Sequence, residues 1–182
     1  MIKNIIKIGI NLMIVSMIGA TILATTNFVT APKIEEVEKE AKLKARQTVL
    51  PSATEFKEFK EKKGFFKGLN SDGELVGYVL SCMAEGYGGG FWVMAGIDKN
   101  FKIVEINVLT NKETPGLGNK IEDDEFRNQF KGKGVENLEV VKTPPFEGKI
   151  QAITGATISS KAVTEAVKEG LEELERIILE KE

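Results

Sequence analysis

The sequence predicts an α+β protein: one N-terminal transmembrane helix, then a single domain with an antiparallel β-sheet and a long C-terminal amphipathic helix. Three observations carry this. No charged residue occurs between Lys7 and Lys33, and Ile, Leu, Met and Val are dense from Ile8 to Leu23. Short β-like runs follow after Lys63, each bounded by Gly, Asn or Asp. From Ile158 to Ile178 the apolar positions recur with a 3.6-residue period.

The first element, residues 1–32, exceeds the roughly 20 apolar residues that cross a bilayer. It is longer than a signal-peptide core of about 7 to 15 residues, and no strong small-x-small site precedes Lys33, so it reads as a retained anchor. Lys3 and Lys7 lie before the span, which predicts a cytoplasmic N-terminus and an extracytoplasmic main domain in the cell inner or plasma membrane. Residues 33–50 form a juxtamembrane helix and linker, with Ile34, Val37, Ala41 and Leu43 near helical spacing and Pro51 closing it. Residues 51–182 form the domain. Strands are expected at Glu74–Met83, Gly90–Ile97 and Lys102–Leu109, with hairpin turns at Asp72-Gly73 and Asp98-Lys99-Asn100. A short helix at Asp123–Phe130 and a strand near Leu138–Val141 precede the loop with Pro144 and Pro145. In the final helix Ala162, Val163, Ala166, Val167, Leu171 and Leu174 mark the buried face, and Lys161, Glu165, Lys168 and Glu172 the solvated one.

The 182 residues allow one globular domain plus an appendage. With 25 basic against 27 acidic residues and no basic block, nucleic acid is not an expected partner. There is no histidine, which removes the commonest general base, the commonest zinc ligand and any histidine-dependent triad. The single cysteine, Cys82, lies in an apolar strand-like run and reads as an inert buried thiol. Phe91 and Trp92 read as core residues.

Chemistry concentrates where the last helix begins, at Thr154-Gly155-Ala156-Thr157-Ile158-Ser159-Ser160. Hydroxyls, free backbone N–H groups and the positive end of a helix dipole together suit an anion such as phosphate. Ser and Thr are also the preferred helix caps, so the same residues serve a purely structural role equally well. Ser159 and Ser160 either bond the anion or cap the helix, and Lys161 is either its partner or solvated. The runs Gly86-Tyr87-Gly88-Gly89 and Glu113-Thr114-Pro115-Gly116-Leu117-Gly118 read by composition as turns, although their glycines also permit close passage of backbone over a cofactor.

Thr154-Gly155-Ala156-Thr157 followed by Ile158-Ser159-Ser160 resembles the flavinylation motif of the FMN-binding domain family. The two glycine-bearing runs, the first continuing through Phe91 to Asp98, resemble further segments of that family in the same order. The resemblance implies an FMN-binding domain in which FMN is joined by a phosphoester bond to the hydroxyl of Thr157. It implies attachment by a separate flavin transferase that uses FAD. It places Thr154, Gly155, Ala156, Ile158, Ser159, Ser160, Tyr87, Gly88, Gly89 and the run Glu113 to Gly118 around the cofactor, with no catalytic residue and no metal. Size and layout are most similar to the G subunits of Rnf electron transport complexes, which oxidise ferredoxin, reduce NAD and move ions across the membrane. This implies an electron carrier with other membrane subunits as partners, not catalytic alone. The C subunits of sodium-translocating NADH:quinone reductases are the second reading, and a tethered module that binds flavin or another anion reversibly is a third. Gln151 stands where the family motif usually begins with an acidic residue. Asn111 stands where the family often has histidine, which excludes a histidine contact to flavin.

Overall fold

A computed structural model describes residues 2–109, 111–145 and 147–180. The chain divides into two compact units, Met1–Leu43 and Lys44–Glu182.

The first unit is helical. It is the larger part of α1, Ile2–Val49, which runs through Pro32 without a break. The apolar span and the expected juxtamembrane helix are therefore parts of one continuous helix. Its apolar window has a mean hydropathy of 2.0, long and apolar enough to cross a membrane. The threonines within it satisfy themselves: Thr21, Thr25, Thr26 and Thr30 each donate to the carbonyl four residues back at 2.8–2.9 Å. Such bonds keep hydroxyls paired where no water is at hand.

The second unit is built on a five-stranded antiparallel meander of β1 (Glu55–Glu58), β2 (Phe65–Leu69), β3 (Leu75–Gly86), β4 (Gly89–Asp98) and β5 (Ile103–Val108), ordered as in the chain. The three expected strands correspond to β3, β4 and β5, and both expected turns lie where Asp and Gly placed them. Asn70 Oδ1 accepts the N–H groups of Asp72 and Glu74, and Asp98 Oδ1 those of Asn100 and Lys102. After β5 come α2 (Asp124–Arg127), a parallel pair of β6 (Val140–Val141) with β7 (Ile150–Gln151), and α3 (Thr157–Leu179).

Period-2 alternation gives the sheet two apolar faces. One carries Leu80, Val93, Ala95 and Ile97 and packs under α3, whose Val163, Val167, Leu171 and Leu174 are fully buried. Burying each such side chain stabilises the fold by about 1.5–3 kcal/mol. The other face carries Phe66, Val79 and Met94 and is covered by Ala45, Val49 and Leu50 at the end of α1, together with Ala53. Gly96 makes that contact possible: a Cβ there would lie 1.9 Å from the Val49 carbonyl oxygen. Alternation also corrects one expectation. Phe91 is core at 2 % exposure, but its neighbour Trp92 points to the opposite face and is 45 % exposed.

Cys82 is half-buried on the α3 side of β3, close to Gly170. Burial pushes its thiol up to about 12, with Lys62 opposing and Glu169 reinforcing the shift. This agrees with an inert thiol.

Candidate cofactor site

The fold brings the three motif segments together at one end of α3. Gly86 to Gly89 form the turn between β3 and β4, Glu113 to Gly118 form the loop that leaves β5, and Thr154 to Ser160 form the approach to α3 and its first turn.

Glu113 stands where they meet. It is 6 % exposed, and its carboxylate accepts from a different segment at each oxygen: the Gly88 N–H at Oε1, 3.1 Å, and the Ser159 hydroxyl at Oε2, 2.7 Å. Two glycines leave it room. A Cβ on Gly86 would lie 2.0 Å from Oε1, and one on Gly118 2.4 Å from Oε2. The loop is set by Asn111, whose Oδ1 accepts the Glu113 N–H at 2.8 Å while its Nδ2 donates to Glu122 at 2.5 Å. Asn119 does the same further on, accepting the Gly116 N–H at 2.7 Å.

Above this network opens a cleft of about 510 Å³ lined by Tyr87, Glu113, Thr114, Leu117, Gly118 and the run Gly155 to Ser159. That volume lies within the range of small-molecule sites, roughly 300–1,000 Å³. Its rim is apolar and open: Tyr87, Leu117 and Ile158 are 74 %, 46 % and 57 % exposed. Thr157 is half-buried in it as the first residue of α3. The helix cap is Ala156, and no side chain caps the helix. The threonines and serines of the motif therefore do not spend the helix N-terminus on a cap, and its first N–H groups and dipole remain for a ligand. Gly155, at φ +80°, makes the turn into the helix.

The two serines left open between ligand and cap both face inward. Ser159 binds Glu113. Ser160 donates to the Ala156 carbonyl at 2.9 Å and accepts the Ile153 N–H at 3.0 Å, fastening the loop to the helix. Lys161 is exposed. Thr154 is not on this cleft: it lines a neighbouring one with Lys120, Asp123, Gln129 and Gln151. The Gln151 N–H donates to the Gln129 side chain at 2.7 Å. Pro115 and Gly116 form an exposed turn behind Thr114, while Gly88 is held by its N–H and Gly89 closes the hairpin at φ +111°. Asn119 is the contributor that motif reading passed over, while Gly86 and Asn111, named there as part of a glycine run and as the residue at a histidine position, serve to seat Glu113. The Asn111 side chain accepting the N–H two residues on is the turn role that Asn commonly plays. Among the described residues no group of three or more His, Cys, Asp or Glu side chains is placed to hold a metal.

Residues 86–172 match the FMN-binding domain family and residues 1–49 match the RnfG N-terminal region. The chain is 40 % identical over 185 residues to the G subunit of the Na(+)-translocating ferredoxin:NAD(+) oxidoreductase complex of Acetobacterium woodii, covering 91 % of this chain and 89 % of that one. It is 32 % identical over 172 residues to the G subunit of the proton-translocating ferredoxin:NAD(+) oxidoreductase complex of Clostridium ljungdahlii, covering 94 % and 92 %. The chain belongs to the G-subunit family. Its FMN-binding domain spans all three motif segments, and its RnfG N-terminal region coincides with α1, the helix long and apolar enough to cross a membrane. Among solved structures, the C subunit of a Na(+)-translocating NADH-quinone reductase from Parabacteroides distasonis aligns at TM-score 0.49 and 30 % identity, over 59 % of this chain and 58 % of that one.

Proposed function

We propose that this G-subunit family member is an extracytoplasmic, membrane-anchored flavoprotein with one FMN joined covalently to Thr157, relaying electrons within an ion-translocating ferredoxin:NAD(+) oxidoreductase complex. The observation that carries the reading is Thr157 itself: a half-buried hydroxyl at the head of α3, where no side chain caps the helix, opening on a cleft with an apolar rim. The donor set suits FMN, with the uncapped helix N-terminus for phosphate and Tyr87, Leu117 and Ile158 for a flat ring.

A covalent bond answers a deficit in affinity. An exposed helix terminus is worth about 0.3–1 kcal/mol to an anion, whereas micromolar retention needs about 8 kcal/mol. Flavin is not reliably supplied outside the cell, and a tether removes the need for tight binding. The family resemblance implies attachment by a separate flavin transferase, so Thr157 is an attachment point and not a catalytic nucleophile. With FAD as donor, the Thr157 oxygen bonds to the phosphorus of the FMN moiety, the pyrophosphate P–O bond breaks, AMP leaves, and the hydroxyl proton is released. When bound, flavin supplies the redox chemistry. This chain's residues hold, orient and partly enclose it.

Other membrane proteins of the complex are the partners, and Lys3 and Lys7 before the span favour a cytoplasmic N-terminus. The same uncapped helix end also favours a second reading, reversible binding of a phosphate-bearing ligand. Full-length protein co-produced with a flavin transferase separates them. Covalent attachment gives a fluorescent band on a denaturing gel that disappears in Thr157→Ala, whereas a reversible ligand is lost from the wild type on denaturation.

A further inference from the structure

We propose that Glu113 is the positioning residue for cofactor attachment: through Ser159 and Gly88 it fixes the first turn of α3 so that the Thr157 hydroxyl is presented to the cleft. This rests on Thr157 as the attachment point.

A carboxylate that is 6 % exposed needs its lone pairs satisfied, and here each oxygen takes one donor from a different motif segment. Among the described residues no cation pairs with it. Its role is therefore one of geometry. Gly86 and Gly118 lie directly against it, since a Cβ at either would overlap its oxygens. The two hydrogen bonds hold the carboxylate between the segments that donate them.

The link to Thr157 is rotational. Residues two apart on a helix point roughly 200° apart. Holding Ser159 inward, at 1 % exposure, turns Thr157 to the open side, where it is half-buried. The same carboxylate holds the Gly88 N–H, which sets the hairpin carrying Tyr87 on the cleft rim. Without Glu113 the first turn of α3 and that hairpin lose their common reference. A displacement of about 1 Å at a reacting group can slow a reaction about 100-fold.

The test uses full-length protein in detergent with a flavin transferase and FAD, following the initial rate of FMN incorporation by intact mass. Thr157→Ala is the blank, and thermal unfolding of each variant reports folding. Glu113→Ala removes both bonds, whereas Glu113→Gln keeps them, because its Oε1 accepts the Gly88 N–H and its Nε2 donates to Ser159. Glu113→Ala is expected to slow incorporation about 10- to 100-fold, and Glu113→Gln to stay within about threefold of wild type. If Glu113→Ala does not fold, Ser159→Ala decides, with an expected slowing of about 10-fold in folded protein. A folded Glu113→Ala or Ser159→Ala that takes up FMN at the wild-type rate overturns the proposal. So does Glu113→Gln falling as far as Glu113→Ala. A wild type that takes up no flavin overturns the attachment reading and this proposal with it, whereas uptake in the wild type with no effect at Glu113 or Ser159 overturns this proposal alone.

Discussion

Gly116 and Gly118 stand two residues apart in one loop, yet substituting them should have different effects for different reasons. A Cβ at Gly118 would lie 2.4 Å from Glu113 Oε2, 2.9 Å from Glu113 Cβ and 3.0 Å from Ser159 Oγ. Glu113 cannot swing aside without releasing Ser159 or Gly88. Gly118→Ala should therefore weaken a buried hydrogen bond to a charged group, worth about 1.5–3 kcal/mol, and crowd a packed site at about 1–3 kcal/mol. The two overlap, so the expected destabilisation is about 2–4 kcal/mol, or a fall in Tm of about 8–16 °C for a domain of this size. At Gly116 a Cβ meets nothing within 4 Å, and the only cost is the left-handed backbone at φ +79°. Gly116→Ala should cost about 1 kcal/mol. Thermal unfolding of the full-length protein, followed by circular dichroism, measures both. A Gly118→Ala within about 0.5 kcal/mol of wild type, or costing less than Gly116→Ala, would refute the account of a clamped carboxylate.

The remaining predictions concern Cys82 and the packing of α3 on β3. A Cβ at Gly170 would lie 2.4 Å from Cys82 Sγ but 3.9 Å from Cys82 Cβ. Gly170→Ala should thus cost about 1–3 kcal/mol in the wild type and much less in a Cys82→Ala background, as a double-mutant cycle of Tm values will show. The folded thiol sits at about 12 against an ordinary value near 9. Between those limits the unfolded chain loses a proton that the folded chain keeps, so stability should fall as pH rises from about 9 toward 12. Cys82→Ala should remove that component, and chemical denaturation at pH 8, 9 and 10 measures it. Alkylation at pH 8 should be slow in the native protein and fast once it is unfolded.

The sequence was most informative where pattern and punctuation agreed. β3, β4 and β5 were legible because β-rich runs lay between Asp–Gly and Asp–Lys–Asn turns, and α3 because its apolar stripe persists for six turns. β1 was not, since Glu55-Phe56-Lys57-Glu58 is a mostly exposed edge strand with no buried face to impose alternation. β2 was hidden by Gly68, which looks like a breaker but is the residue that admits Leu50 against the sheet. β7 is too short to carry a period. At the site, residue type foretold the segments but not their division of labour. Thr154, on an exposed turn, and Thr157, the half-buried first residue of α3, lie three residues apart and line different clefts. Ser159 and Ser160 point into the protein, and Glu113, drawn from a run that composition reads as a turn, is the buried junction. These assignments depend on contacts between positions up to 46 residues apart, which no local pattern records.

The central claim is that Thr157 carries FMN through a phosphoester bond, and the most direct measurement is intact and peptide mass on full-length protein co-produced with a flavin transferase, after denaturation. The expected result is a mass increase of one FMN less one water, located on the peptide that contains Thr157 and absent from Thr157→Ala. An unmodified wild-type mass from protein that bound flavin before denaturation would contradict it.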